Sequence, residues 1–590
     1  MKVGTITLIS GFILGGGLSS VGRGTLKIQY DPTTMNGINS CAVVIDFVSC
    51  VGRFKVGKRN GAITIQNQDM DPASNSGIVI NRRLVFLNSA SSVFTRFLNL
   101  TVLLWMYKYL LSNVSASHFS IYPVLMAMMA FVPLFFSFLT SGISRFAVAA
   151  YAVHDQQEVT SIVTSVFFSL LVLTALFLTL GGILAWNLET VFVVDSDILG
   201  QAQLMTAILF LGAGLQAIVT PFQMGIHITQ KFMLMNLIEI LRDVVRAILL
   251  FSLLLGIGPE VIWVVVATVS TNVAAAFCIA VISMKLVPCV RLDPHSFAVG
   301  KAKELMGFGS WATLGQISSM IHTSAGTLVL NRFGSAVDVT NYHMGSIVDR
   351  QVQSLTTFAS APVQPVLTAM HSTGDVTRLG NAYLTGGRYA LWANLLPAVP
   401  LMVLGPELVT AYLGPEFTET AYVLGILLAV YPITYSCIML PKIAIAMNRI
   451  RLFFLAAILF QMLNVIVMIL LTGVHDMGAI GIAIAISSTL AIGQLTVFWP
   501  MGLRLSNVSF HRFFNEVLFP GLMPAIVAFT LLLIVKSVAS SFTNFWLFAY
   551  VSAGGVVYLL ILYLVLSRRE RRVIHSLAFR HIRRSSLRCE

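Results

Sequence analysis

From about residue 84 onward the chain alternates long apolar runs with short polar segments, and this pattern limits its fold more than any other feature. A run of about 20 mostly apolar residues is long enough to cross a bilayer as a helix. The pattern therefore predicts an all-α polytopic membrane protein with about 14 transmembrane helices. The predicted spans lie near 84–111, 118–142, 158–185, 200–224, 231–256, 260–285, 303–330, 337–362, 384–405, 418–443, 450–473, 478–500, 514–536 and 544–567.

Composition excludes the main alternatives to a membrane protein. Apolar residues make up 57% of the 590 residues and charged residues 10%, whereas an ordinary soluble protein is about 45–50% apolar and about 25% charged. Cores of normal size cannot enclose so much apolar surface, so a soluble globular enzyme is excluded. The six cysteines are far apart, which indicates neither a disulfide scaffold nor a metal site.

The distribution of cations supports an even number of spans with both termini in the cytoplasm. Thirty of the 37 Lys and Arg residues fall on the predicted cytoplasmic side, and three (Lys108, Arg332 and Lys536) fall on the other. Such an asymmetry is what the positive-inside rule predicts. The net charge of +13 is therefore explained mainly by the cations that orient the spans in the membrane. Nucleic acid is not an expected partner.

The two ends of the chain differ from its middle. Residues 1–82 are rich in Gly, Ser and Asn, and we interpret them as a poorly ordered cytoplasmic extension that is not necessarily native, since Met35 and Met70 are alternative start sites. Residues 568–590 form a basic cytoplasmic tail that carries eight arginines. This tail is expected to meet anionic membrane lipids.

Spans 7 and 8 are more polar than the others and carry three of the first four candidate site residues, and span 1 carries the fourth. A charge at mid-membrane costs several kcal/mol, so each one requires a reason. Arg96 on span 1 and Arg350 on span 8 are candidates to bind phosphate or acidic sugars, because the guanidinium matches phosphate geometry. Asp349 and His322 are further candidates for the same cavity. The alternative for each is a polar residue bonded at a helix interface.

Span 5 carries the second candidate set, Glu239, Arg242, Asp243 and Arg246. Offsets of three, four and seven residues place all four on one stripe of a helix. The spacing predicts the ion pairs Glu239–Arg242 and Asp243–Arg246. We interpret the stripe as self-compensated ion pairs within one lobe, with a site of ion coupling as the alternative.

Several segments resemble one transporter family. Spans 1 and 7 open alike, with RRLVFLNSASSVFTRFLN at 82–99 and KELMGFGSWATLGQISSM at 303–320, as repeated halves would. The segments LVLNRFGSAVDVTNYHMG at 328–345, PELVTAYLGPEF at 406–417 and GAIGIAIAISS at 478–488 resemble the Wzx-type polysaccharide flippases of the multidrug/oligosaccharidyl-lipid/polysaccharide exporter superfamily.

The resemblance implies two six-helix lobes around a central cavity, plus two C-terminal helices. It implies an N-lobe at 83–285, a cytoplasmic inter-lobe loop at 286–302, a C-lobe at 303–500 and spans 13 and 14 at 501–567. The implied activity is translocation of an undecaprenyl-diphosphate-linked oligosaccharide across the bacterial inner membrane by alternating access. A polysaccharide polymerase and other assembly proteins are the implied partners.

Three other functions stay open at this point. A peptidoglycan lipid-precursor flippase of the same superfamily would be expected to carry more arginines in its first spans, and a multidrug/cation antiporter would carry acidic cavity residues. A membrane-embedded glycosyltransferase or ligase would be expected to show a large loop or paired carboxylates. No phosphate-binding loop of the G-x-x-x-x-G-K-[ST] type occurs in the sequence, and no cofactor is expected. The chain is therefore predicted not to be an enzyme.

Overall fold

The structure is a computed structural model that describes most of the chain. The described residues are 2–6, 26–30, 41–47, 50–59, 62–67, 100–229, 231–360, 363–372, 375–447, 449–538, 544–567 and 570–572. The chain divides into two compact units, Met1–Ser89 and Ala90–Glu590. Each is described by itself.

The described part of the first unit consists of five strands in two antiparallel sheets. Strand β1 (Lys2–Ile6) pairs with β2 (Leu26–Tyr30), with Lys2 opposite Tyr30. Strands β3 (Cys41–Phe47), β4 (Cys50–Arg59) and β5 (Ala62–Asn67) form the second sheet in that order. These strands were not predicted from the sequence.

The described part of the second unit is helical throughout. We call helices α1–α10 the N-terminal bundle and α11–α24 the C-terminal bundle. The N-terminal bundle comprises α1 (100–113), α2 (Ala116–Met129), α3 (Val132–Thr140), α4 (Ile143–Ala152), α5 (Gln156–Trp186), α6 (Leu188–Val191), α7 (Leu199–Val219), α8 (Met224–Thr229), α9 (Phe232–Gly256) and α10 (Ile262–Leu286).

The C-terminal bundle follows after a loop at 287–298. It comprises α11 (Val299–Phe333), α12 (Ala336–Ser360), α13 (Val363–Ser372), α14 (Val376–Val403), α15 (Gly405–Tyr412), α16 (Thr418–Ala429), α17 (Tyr431–Tyr435), α18 (Leu440–Ala446), α19 (Ile450–Gly473), α20 (Gly478–Gly493), α21 (Trp499–Ser506), α22 (Phe510–Phe513), α23 (Phe519–Val538) and α24 (Asn544–Val565). Residues Gln494–Phe498 and Phe514–Leu518 are π-helical turns.

Local sequence explains where many helices begin. Ser115, Asp155 and Asp375 precede α2, α5 and α14, and each side chain accepts a hydrogen bond from a backbone N–H of the first turn. These residues satisfy donors that a helix start leaves free. Pro397 and Pro400 lie inside the continuous helix α14.

Long apolar helices and their outward faces indicate a lipid environment. Nine of the described helical segments, or ten if the α14–α15 pair bent by 76° is one span, are long and apolar enough to cross a membrane. The helices α19 and α24 are only 11% buried over their apolar windows. The predicted fold class, an all-α polytopic membrane protein, is confirmed for the described part of the second unit, while the count of fourteen spans stays a prediction.

The remaining predicted spans are polar or partly outside the described residues. Span 1 is described only from residue 100, and spans 5, 7 and 8 correspond to α9, α11 and α12. The polar residues of α11 and α12 are buried to a large extent within the protein, as expected for helices that do not face lipid. Their buried polar residues are Ser318, Ser324, Thr327, Asn331, Thr340, Asn341, His343, Ser346 and Asp349.

The two bundles meet along α11 and α12 on one side and α1, α2 and α3 on the other. Thr340 Oγ1 donates to the carbonyl of Ala116 at 2.7 Å, and Ser137 Oγ lies 2.6 Å from Thr313 Oγ1. Met344 and Ile347 of α12 are buried in the apolar core of the N-terminal bundle. The polar helix α12 therefore lies at the interface between the bundles.

Candidate functional site

An aromatic cluster at the bundle interface surrounds His343 of α12. Rings of Tyr107 from α1 and of Phe119 and Tyr122 from α2 lie 5.8–6.3 Å from the imidazole. Tyr107 Oη lies 3.3 Å from His343 Nε2, within hydrogen-bond reach. His343 is only 8% exposed. A polar ring from one bundle is thus enclosed by aromatic rings of the other.

Arg350 lies two turns further along α12. It is fourteen residues from the helix start at Ala336, or about 21 Å along the axis, which is near the middle of a spanning helix. Its guanidinium exerts an electrostatic effect on Tyr107 of the N-terminal bundle as well as on Tyr342 and His343. The side chain therefore lies near the interface between the bundles.

The half-buried Arg350 has no hydrogen bond and no ion pair among the described residues. An arginine carries five N–H donors and stays charged. A charge at this depth without a protein partner is costly unless an anion or water compensates it. The position suits an anionic ligand, and the planar guanidinium matches the oxygens of a phosphate.

Asp349 points into the C-terminal bundle instead of pairing with its neighbour. Its Oδ1 accepts a hydrogen bond from Tyr431 Oη at 2.7 Å, and its Oδ2 accepts one from Gln353 Nε2 at 2.8 Å. The carboxylate is only 7% exposed. Adjacent helix residues point about 100° apart, which explains why Asp349 contacts the C-terminal bundle while Arg350 lies near the interface between the bundles.

His322 of α11 lies close to the same pair. Its ring interacts electrostatically with Asp349 and Arg350, and its Nδ1 lies 3.4 Å from Gln461 Nε2. The structure thus brings three of the predicted site residues together, namely His322, Asp349 and Arg350. Arg96 lies outside the described residues.

The charged stripe of α9 is paired differently from the sequence prediction. Arg242 donates to Asp243 Oδ1 from both Nε and Nη2, at 3.1 and 3.0 Å, and Arg246 Nη2 lies 3.7 Å from the same oxygen. Glu239 forms no ion pair with Arg242 in the described part of the chain. The predicted Glu239–Arg242 pair is therefore wrong, because the long arginine side chain bends toward its buried neighbour.

This stripe lies close to the aromatic cluster. Asp243 is 4% exposed, and Arg246 interacts electrostatically with Tyr122, one of the rings around His343. The charges of α9 and the cluster on α1, α2 and α12 therefore belong to one polar region inside the protein. No cluster of metal ligands is found among the described residues.

Sequence reasoning missed the aromatic residues of this region and Tyr431. Their signal is weak, because a Tyr or Phe in an apolar span is also an ordinary core residue. A buried Tyr usually finds a partner for its hydroxyl, so tyrosines within apolar spans are the signal from which a polar region could have been predicted.

Comparisons with known proteins identify what the chain is similar to. Residues 86–371 match the family model described as "Polysaccharide biosynthesis protein". The membrane protein EpsK of Bacillus subtilis (strain 168), which is described as uncharacterized, is 24% identical over 410 residues, which are 67% of this chain and 79% of EpsK.

Solved structures with a similar fold are transporters. The lipid II flippase MurJ in an inward closed conformation has a TM-score of 0.62 and 16% identity, over 81% of this chain and 98% of MurJ. An inward-facing multidrug resistance transporter of the MATE family has a TM-score of 0.56 and 14% identity, over 70% of this chain and 98% of its own.

These findings define the class of the protein. It is a multi-pass membrane protein whose fold is similar to those of MurJ and of a MATE transporter of the multidrug/oligosaccharidyl-lipid/polysaccharide exporter superfamily. Its resemblance to the polysaccharide flippases of that superfamily, first seen in the sequence, is confirmed by the polysaccharide biosynthesis match together with the fold.

Proposed function

We propose that the protein is a flippase that moves an undecaprenyl-diphosphate-linked oligosaccharide repeat unit across the bacterial inner membrane for polysaccharide export. It acts by alternating access and catalyses no covalent reaction. Both termini lie in the cytoplasm, and the basic tail at 568–590 contacts anionic lipids. A polysaccharide polymerase and other assembly proteins receive the exported unit.

The observation that carries the proposal is the Arg350 side chain. It lies midway along a polar helix at the bundle interface and has no ion pair or hydrogen bond in the described part of the chain. The two negative groups of a lipid diphosphate supply the missing partners, and the guanidinium binds them in a bidentate manner. Arg96, on the other bundle by sequence, serves as the second contact and holds the anion from the opposite side.

The charges of α9 have a supporting role in this proposal. Asp243 lies between Arg242 and Arg246, so these three residues keep one net positive charge, which favours an anionic cargo in the nearby polar region. The same cluster, together with Glu239, is where an ion would compete with the ion pairs if transport is coupled to an ion gradient. His322 and Asp349 complete the polar surface around Arg350.

Complementation in the bacterium from which the gene comes tests the proposal. The gene is deleted, and wild type, Arg350→Ala, Arg96→Ala and Arg332→Ala are expressed at matched membrane levels. Arg332 is an exposed cation at the end of α11 and serves as the control. We expect wild type and Arg332→Ala to restore surface polysaccharide, and the other two variants to restore less than a tenth of it.

Three results would replace the proposal. Rescue of a strain depleted of its lipid II flippase, with unchanged surface polysaccharide in the deletion, would indicate a peptidoglycan lipid-precursor flippase. Drug resistance without any effect on polysaccharide would indicate a multidrug/cation antiporter. Accumulation of polymer-free acceptor with normal export of the repeat unit would indicate a transferase or ligase. If Arg350→Ala and Arg96→Ala restore polysaccharide as well as wild type does, the assignment of these residues to the binding site is wrong, but the proposed flippase function still stands.

A further inference from the structure

A cavity inside the C-terminal bundle lies next to Asp349, which accepts a hydrogen bond from the lining residue Gln353. Its volume is about 320 Å³, at the lower end of the range of about 300–1,000 Å³ of small-molecule pockets. It lies between α12, the α17–α18 segment, α19 and α20 with its π-helical turn. We call it the C-terminal cavity; its polar lining residues are Gln353, Thr434, Cys437, Gln461, Asn464, Thr489 and Gln494.

The lining of this cavity combines amides with aromatic rings and carries no charge among the described residues. Four side-chain amides face Tyr435, Phe453, Phe460 and Phe498 across the space. Amides both donate and accept hydrogen bonds, and aromatic faces pack against C–H groups. A ligand that suits such a lining is neutral, rich in hydroxyl groups and has apolar faces.

Asn464 contributes to the lining of the cavity a buried acceptor without a protein partner in the described part of the chain. The residue is 1% exposed, and its Nδ2 donates to Gln461 Oε1 at 3.3 Å. Its Oδ1 has no partner among the described residues, and neither has Thr434 Oγ1, which lines the same cavity. A buried polar atom without a partner costs about 1–3 kcal/mol. Asn464 Oδ1 can only accept a hydrogen bond, whereas the Thr434 hydroxyl can donate or accept one, so a ligand hydroxyl group suits both atoms.

The π-helical turn at Gln494–Phe498 shapes one wall of the cavity. It brings both Gln494 and Phe498 into the lining, and Gln494 Oε1 accepts a hydrogen bond from Cys437 Sγ at 2.9 Å. Such turns break the regular hydrogen bonding of a helix and occur frequently at functional sites. The turn is a second local feature that marks this cavity.

We propose that the C-terminal cavity binds a neutral sugar ring of the lipid-linked cargo. One sugar hydroxyl donates to Asn464 Oδ1, another forms a hydrogen bond with the Thr434 hydroxyl, and the ring packs against the aromatic side chains. Gln353 lines the cavity and donates to Asp349, the neighbour of Arg350. In this assignment the diphosphate binds at Arg350 at the bundle interface, and the first sugars bind in the cavity on the Asp349 side of α12. This assignment rests on the proposed flippase function.

Binding of two defined lipids to the purified full-length protein in nanodiscs tests the assignment. The probes are undecaprenyl diphosphate and the same lipid carrying one neutral hexose, taken in turn from a small panel of hexoses. Wild type is expected to bind the best hexose-carrying lipid about tenfold more tightly than the bare lipid, since two hydrogen bonds each contribute about 0.5–1.5 kcal/mol and tenfold is 1.4 kcal/mol.

Variants separate the sugar contribution from the phosphate contribution. Asn464→Leu and Thr434→Val are expected to reduce the tenfold increment to less than threefold and to leave binding of the bare lipid unchanged. Thr434→Val keeps the shape of the side chain and guards against misfolding. Asn394→Leu is the matched control, because Asn394 is an equally buried asparagine of the same bundle, 0% exposed, outside the cavity lining.

The outcomes are distinguishable. Failure of wild type to bind even the bare lipid would reject the proposed function. Binding of the bare lipid with no increment for any hexose would overturn the sugar assignment alone. The same holds if the increment survives both cavity variants. A third outcome is that sodium stabilises wild type but not Asn464→Leu, and that no hexose tightens lipid binding. The cavity would then be a cation site and not a sugar site.

Discussion

Two hydrogen bonds between Asn331 and Val193 connect the two bundles, and a substitution that removes them should favour separation of the bundles at this contact. Asn331 of α11 donates through Nδ2 to the carbonyl of Val193 at 3.0 Å and accepts from the N–H of Val193 at 3.1 Å. Val193 lies in the loop after α6, in the other bundle. The amide therefore closes a two-bond bridge between the bundles, and Asn331→Leu removes both bonds at nearly constant volume.

The size of the effect follows from the two bonds. Each intramolecular hydrogen bond contributes about 1 kcal/mol net, so the closed arrangement loses about 2 kcal/mol. Since 1.4 kcal/mol is tenfold in an equilibrium, the ratio of open to closed molecules rises about 30-fold. The remaining interface contacts, including Thr340 to Ala116 and Tyr412 Oη to the Leu104 carbonyl, are left in place.

Distances between spin labels measure this ratio. Labels at Ser196 and His475 mark exposed loops of opposite bundles, on a background without other reactive cysteines. Asn331→Leu should move the distance distribution toward longer values, and Asn113→Leu should not, because Asn113 donates to Tyr109 within its own helix. An unchanged distribution in folded Asn331→Leu protein would refute the idea that this bridge holds the bundles together.

The remaining predictions concern stability and the C-terminal tail. Tyr431→Phe removes one of the two side-chain donors to buried Asp349, and a melting curve in detergent should show a loss of about 1–3 kcal/mol. Gly326→Val should lower the melting temperature more than Gly182→Val, because a Cβ at Gly326 would lie 2.8 Å from Ile482 Cγ2 whereas Gly182 has open space around it. Arg388→Ala should speed proteolysis of the tail, because Arg388 Nη2 bonds Glu570 at 2.5 Å and the guanidinium lies over the Trp392 ring. Burial raises the pKa of Glu570, but hydrogen bonds from Ser567 and Tyr389 and the Arg388 charge outweigh it, so the net pKa is below its ordinary value. The tail contact should therefore hold at neutral pH and be lost as the pH falls through that lowered pKa, which protease sensitivity measured against pH will show.

The helical positions could be read from the sequence because bilayer thickness imposes them. Each of the fourteen predicted spans overlaps a described helix, and α10 and α11 end and begin within a few residues of the predicted inter-lobe loop. The burial of polar groups in α11 and α12 followed from the cost of exposing them to lipid. These properties depend on one helix and its surroundings at a time.

Features that depend on contacts between helices were not predictable. Helical spacing alone predicted Glu239 as the partner of Arg242. The structure pairs Arg242 with its neighbour Asp243, because the conformation of the arginine side chain decides the partner. The effect of proline depends on packing as well, because Pro397 and Pro400 sit within a continuous α14. The rings around His343 come from α1 and α2, more than 200 positions earlier in the chain.

Transport by the purified protein tests the central claim most directly. Proteoliposomes containing wild type, Arg350→Ala or Arg332→Ala receive a fluorescent undecaprenyl-diphosphate oligosaccharide in one leaflet, and a membrane-impermeant quencher reports its appearance in the other. The account predicts that wild type and Arg332→Ala transfer the lipid and that Arg350→Ala transfers it at least tenfold more slowly. Equal rates for wild type and Arg350→Ala, or no transfer by wild type above empty liposomes, would contradict it.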